Sequence, residues 1–131
     1  MAKHPFTGKR MGEMESRAYQ ACKEIKERLA DGGSFNFTMV WKKSRTWGHC
    51  PSIILFGGKV AHASGCGYCK ESACLADALR FMADTPEQYN DIDKTRGRGE
   101  SAVIKAMKGA GYILEKTYYG DNEDGYTISK A

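Results

Sequence analysis

An α+β fold is expected for this chain of 131 residues: one antiparallel sheet with helices packed on one face. Three stretches carry that expectation. Met14, Ala18, Ala21, Cys22, Ile25 and Leu29 recur at spacings of three and four, the apolar stripe of a helix over Glu13–Leu29. Phe35, Phe37, Met39 and Trp41 alternate with Asn36, Thr38, Val40 and Lys42, the period of a half-buried strand. A run from Lys70 to Met82 places Ala73, Ala76, Leu79 and Met82 on one helical face, with residues small enough to lie close on a sheet.

Taken in order, residues 1–12 read as a flexible basic arm, with Lys3, His4, Lys9 and Arg10. The helix over Glu13–Leu29 has Glu13 and Glu15 in its first turn, where the dipole favours carboxylates. Asp31-Gly32-Gly33 stops it. A strand follows over Phe35–Arg45, then a turn at Thr46-Trp47-Gly48-His49 and a second strand over Pro51–Phe56. Gly57-Gly58 is a two-residue hairpin signal leading to a third strand over Lys59–Ser64. Residues 13–83 thus form an α-β-β-β-α core. Residues 84–99 read as a polar linker, a loop with at most a short turn at Glu87–Tyr89. Glu100–Ala110 is a third helix capped by Gly111. Tyr112–Tyr119 and Tyr126–Ser129 form a hairpin around an acidic turn, so residues 100–131 extend the same domain, because a hairpin alone is marginal.

Charge divides the chain. Lys and Arg outnumber Asp and Glu by 12 to 5 from Met1 to Lys70, and trail them by 8 to 11 from Glu71 to Ala131. A basic front half points to an acidic partner, nucleic acid first. There is no apolar run long enough to span a bilayer and no signal-peptide core at Met1–Gly12, so the expectation is a cytoplasmic protein without a membrane partner. The five cysteines are odd in number and read as reduced thiols.

The junction from His62 to Lys70 concentrates the candidate chemistry. A strand end, the glycine turn Gly65-Cys66-Gly67-Tyr68 and a lysine in the first turn of a helix would present backbone N–H groups, a positive helix end and an ammonium to one anion. The candidate anion or nucleic-acid site is therefore Gly65, Gly67, Tyr68 and Lys70, with Lys42, Lys43 and Arg45 adding attraction and Trp47 a stacking face. Cys66-x-x-Cys69 has ligand spacing, and His49, Cys50, His62 and Cys74 could complete a zinc site. Zinc signatures carry two such pairs, however, and this chain has one, so no metal or other cofactor is expected. A redox dithiol at Cys66/Cys69, or a Cys–His pair drawn from Cys50, Cys69, His49 and His62, is the remaining thiol reading. There is no Gly-x-Ser-x-Gly elbow, P-loop or zincin helix.

Two resemblances follow from these residues. Gly65, Gly67, Lys70, Ala73, Ala76 and Ala78, after a helix and three strands, resemble the double-stranded-RNA-binding domain over residues 13–83. That family closes its third strand with Gly-x-Gly and opens an alanine-rich helix with lysines, which implies duplex recognition through phosphates and shape. It usually has two or three consecutive basic residues there, whereas Lys70 is followed by Glu71. Its Gly-Pro-x-His turn is here Trp47-Gly48-His49-Cys50-Pro51. Over most of the chain, Thr46-Trp47-Gly48 and Ala63-Ser64-Gly65-Cys66-Gly67-Tyr68-x-Lys70-x-Ser72 resemble small uncharacterised proteins of bacteriophages and other mobile elements. In those the residue matching Cys69 is commonly Asp, which speaks against a thiolate metal site. The expected function is a non-enzymatic protein that binds RNA, DNA or a nucleoprotein. The alternative is an inhibitor of a host defence complex, such as an anti-CRISPR, with Asp121, Glu123 and Asp124 mimicking phosphate. A small zinc- or thiol-dependent enzyme is third.

Overall fold

The computed structural model describes residues 3–44, 48–56, 59–63, 71–120 and 123–131, with side chains at 3–40, 61, 72–120 and 123–131. The fold is α+β. Helix α1 spans Glu13–Leu29 and buries Ala18, Cys22, Ile25 and Leu29, the expected stripe. Strands β1 (Ser34–Ser44), β2 (Gly48–Phe56) and β3 (Lys59–Ala63) follow, then α2 (Glu71–Leu79) and a 3-10 turn at Arg80–Met82. Helices α3 (Pro86–Asp93) and α4 (Glu100–Gly109) precede β4 (Tyr112–Tyr119) and β5 (Glu123–Lys130).

The five strands form one antiparallel sheet in the order β3-β2-β1-β5-β4. The C-terminal hairpin extends the sheet by pairing β5 with β1, so β1 is central and β4 lies at an edge. Helices α1, α2 and α4 pack on one face. Phe35, Phe37, Met39, Tyr112, Leu114, Tyr126 and Ile128 point to that face and are buried. Phe37 and Tyr126, cross-strand partners, stack at 5.3 Å between centroids. Among the described residues the opposite face carries no helix: Ser34, Asn36, Ile113 and Glu115 on it are exposed.

Strand β2 begins earlier than expected: Gly48 and His49, read as turn, pair with Ser44 and Lys43. Its register slips between Ile53 and Pro51, which oppose Val40 and Trp41 and leave Ser52 as the extra residue. A proline without an N–H favours such an interruption.

Two expectations are corrected. Residues 84–99 are not simply a linker, since Pro86–Asp93 is a helix. The Thr85 hydroxyl accepts from Gln88 N–H at 3.2 Å, Pro86 occupies the first turn, and Tyr89 and Ile92 are buried. Nor are residues 3–12 a loose arm. Lys3 and Arg10 form a bridge, His4 N–H donates to Lys9 C=O at 2.7 Å, and His4 and Met11 are buried. The hook is held by the His4 imidazole against Tyr89, Phe81 and Phe6. Lys3, Lys9 and Arg10 stay exposed on its outer side.

Candidate nucleic-acid interface

Of the residues expected to hold an anion, Lys42 and Lys43 lie near the far end of β1, opposite Cys50 and His49 of β2. Arg45, Trp47, Gly65, Gly67, Tyr68 and Lys70 lie outside the described residues. Strand β3 runs antiparallel to β2 and so leaves the sheet, at Ala63, toward the end where β1 passes into β2. Strand β5 starts at the same end, since Glu123 opposes Val40. Strand β4 ends there, since Tyr119 opposes Asp124.

The first turns of α2 and α4 meet, because Gly99 N–H donates to Ser72 Oγ at 3.1 Å. Beside them is a polar cluster that the sequence reading missed. Lys116 Nζ lies 3.3 Å from Glu100 Oε2 and 3.7 Å from Asp124 Oδ2. Tyr126 Oη donates to Glu100 Oε2 at 2.9 Å. The Lys116 ammonium also sits 4.8 Å from the centroid of the Tyr119 ring. The side chains of Lys116 and Asp124 are 13% and 9% exposed, so this is an inward-facing cluster rather than a surface pair. Its signal was available: Tyr112 and Leu114 are followed, at the next inward position, by a lysine. Asp124 is consumed by this pair and is not presented as a phosphate mimic; of the expected acidic turn, Glu123 is exposed.

A second polar cluster lies between the helices. Arg80 Nη1 is 2.9 Å from Asp93 Oδ1 and 3.8 Å from Asp77 Oδ1, and Nη2 is 3.5 Å from Glu15 Oε2. Arg96 grips Asp77 with Nε at 2.7 Å and Nη2 at 3.1 Å. It joins α1, α2 and α3 around the base of the hook.

The described thiols are inert. Cys22 and Cys74 are fully buried. Cys22 Sγ donates to Ala78 C=O at 3.1 Å, and burial pushes its pKa up to about 12. In native protein both thiols should resist iodoacetamide and become alkylated only in guanidinium, read by peptide mass spectrometry. Modification of either without unfolding would contradict this placement. His49, Cys50, Cys66 and Cys69 of the zinc and redox readings lie outside the described side chains. Among the described residues there is no cluster of three or more potential metal ligands, and no helix is long and apolar enough to cross a membrane.

No protein-family model matches this chain, and searches among curated proteins and among solved structures give no match.

Proposed function

We propose that this chain is a non-enzymatic protein that binds nucleic acid, alone or within a nucleoprotein, in the setting of a phage or other mobile element. One observation supports the reading best. The strand end bearing Lys42 and Lys43 and the end of β3 at Ala63, which Gly65, Gly67, Tyr68 and Lys70 follow in the sequence, belong to the same end of the sheet. In this reading the amides of Gly65, Gly67 and Tyr68 and the Lys70 ammonium hold a phosphate, Lys42, Lys43 and Arg45 attract the backbone, and Trp47 stacks on a base. The excess of cations in the first 70 residues agrees with it.

The test is fluorescence anisotropy with labelled single- and double-stranded RNA and DNA over a salt series. Affinity should fall with salt, by about 0.9 in log–log slope per duplex phosphate contact. Lys42→Glu with Lys43→Glu should weaken binding to all sequences alike and flatten the slope by about one per lysine. Lys70→Glu should abolish binding. Absence of salt-dependent binding to all four probes would refute the proposal. The second reading, an inhibitor seated on a host protein complex, is favoured by the uncovered acidic and aromatic part of the sheet.

A further inference from the structure

The helix-free face of the sheet has an unusual charge composition. Alternation puts Ser34, Asn36, Thr38 and Val40 of β1 on it, with Glu123, Gly125, Thr127 and Ser129 of β5 and Ile113, Glu115 and Tyr118 of β4. Among the described side chains of β1, β4 and β5, the charges on it are the carboxylates of Glu115 and Glu123, and neither forms an ion pair; Lys42 follows Val40 on the same alternation, further toward the sheet end. Between them stands Tyr118, 55% exposed. Glu115 is opposite Thr127, Tyr118 opposite Gly125, and Glu123 lies two residues further along β5.

Two glycines hold that ring in place. A bulge between Lys116 and Tyr118 turns Tyr118 outward onto Gly125. A Cβ at Gly125 would come within 3.0 Å of the Tyr118 Cβ. A Cβ at Gly120 would meet the Tyr118 ring at 2.8 Å and the Glu123 carbonyl oxygen at 2.7 Å. The ring therefore lies along the hairpin toward its tip, in space that a Cβ at Gly120 or Gly125 would crowd. Ile113, 41% exposed, continues the apolar surface, and β4 is an edge strand, so the surface is open on its outer side.

A fixed aromatic face flanked by two unpaired carboxylates matches a guanidinium or ammonium: the ring attracts the cation through its quadrupole and the carboxylates pair with it. Phosphate would be repelled by the same two groups. A second copy docking by twofold symmetry would set carboxylates against their own kind. We propose that the Glu115–Tyr118–Glu123 surface docks a cationic segment of a partner protein, with an arginine over the Tyr118 ring. This surface adjoins the basic end of β1, since Glu123 opposes Val40, two residues before Lys42, but the proposal does not rest on nucleic-acid binding.

The full chain, isotopically labelled, is titrated by NMR with a short alternating Arg-Ser peptide and with its citrulline counterpart. Amide shifts should centre on residues 113–125 for the arginine peptide alone. Tyr118→Leu, and separately Glu115→Gln with Glu123→Gln, should each raise the dissociation constant by about fivefold. Tyr118→Phe, which keeps the ring and serves as the folding control, should bind as the native chain does. Lys42→Glu with Lys43→Glu should not weaken peptide binding. The proposal fails if shifts centre elsewhere, if the Tyr118 or glutamate variants bind normally, or if Tyr118→Phe loses binding. It fails equally if sedimentation shows Tyr118-dependent self-association, or if Tyr118→Leu impairs binding of an oligonucleotide.

Discussion

Acidification below pH 6.5 should loosen the N-terminal hook, and His4→Asn should remove most of that response. The His4 ring is committed at both nitrogens. Nδ1 accepts the amide N–H groups of Phe6 at 3.1 Å and Thr7 at 3.2 Å. Nε2 therefore carries the proton and donates to Tyr89 Oη at 2.8 Å. Protonating Nδ1 would set an N–H against two N–H groups and break the turn. Burial is the main cause that holds the His4 pKa below its usual value; Arg80 adds to the lowering, and Glu15 and Asp93 oppose it. The folded state thus binds fewer protons than the unfolded one once pH drops under the unfolded pKa of about 6.5. The stabilisation is complete above that pH and is lost as pH falls below it, by at most about 1.4 kcal/mol per pH unit.

Hydrogen exchange of residues 3–12, followed from pH 7.5 to 5, would report the release directly. Asparagine keeps a side-chain acceptor for the two amides but does not titrate, so its hook should exchange alike across that range, after correction for intrinsic rates. The chain holds two further histidines, His49 and His62, so the difference between His4→Asn and the native chain is the quantity to measure. His4→Ala should cost about 2 kcal/mol at pH 7.5, because two amides and the Tyr89 hydroxyl lose a partner and the aromatic cluster loses a ring. Equal pH dependence in the native chain and His4→Asn would show that His4 is no latch.

The hook also shows what sequence periodicity does not carry. Its basic composition describes only its outer side, Lys3, Lys9 and Arg10, while its attachment is a contact between residues 85 positions apart. Helix α1 and strand β4 were legible with their full bounds, because α1 has one buried face with a clean period, β4 alternates from Tyr112 to Glu115 before its bulge, and each has a glycine at an end. Helix α3 was not, since only Tyr89 and Ile92 of its eight residues are buried. The pattern Thr85-Pro86-x-Gln88 was the legible signal there, a cap rather than a period. The placement of β5 beside β1 was open as well: alternation tells which face is buried but not which strand is the neighbour. For the candidate site, residue types were legible, but their convergence was not, because alternation and turn signals fix neither strand order nor side-chain direction. Lys116 was not singled out from the sequence; it holds the next inward position after Tyr112 and Leu114, and its long chain reaches Glu100 past the buried Leu114.

Replacing Arg80 should have the largest effect on stability of any single polar substitution in the helical layer. Its side chain is 17% exposed and faces three carboxylates, of which Asp77 is 14% exposed and Asp93 and Glu15 are 41% and 37% exposed. Its guanidinium also lies 5.5 Å and 5.6 Å from the ring centroids of Phe81 and Tyr89. Burial alone would disfavour the charge, but the Asp93 hydrogen bond and the charges of Tyr89, Asp77 and Asp93 outweigh it, and the pKa is raised. Arg80→Met would fill the apolar path of the stem and leave the carboxylates behind. Asp77 would keep its two-point contact with Arg96, and water would reach Asp93 and Glu15. The full cost of stranding a buried ion, about 3–5 kcal/mol, is therefore reduced to about 2–3 kcal/mol. Arg80→Lys should cost about half as much. It keeps a charge near Asp93 but loses the planar fork; it also removes the buried Nε–H, which has no acceptor among the described residues and works against the native arginine. Urea denaturation followed by circular dichroism measures both, and urea leaves the ion pairs unscreened. A cycle with Asp93→Asn should return a coupling of about 1 kcal/mol, since that pair has the shortest contact of the three but a half-solvated partner. A loss below about 1 kcal/mol for Arg80→Met would mean that the aromatic packing of Phe81 and Tyr89, rather than the ion cluster, joins the hook and α3 to the core.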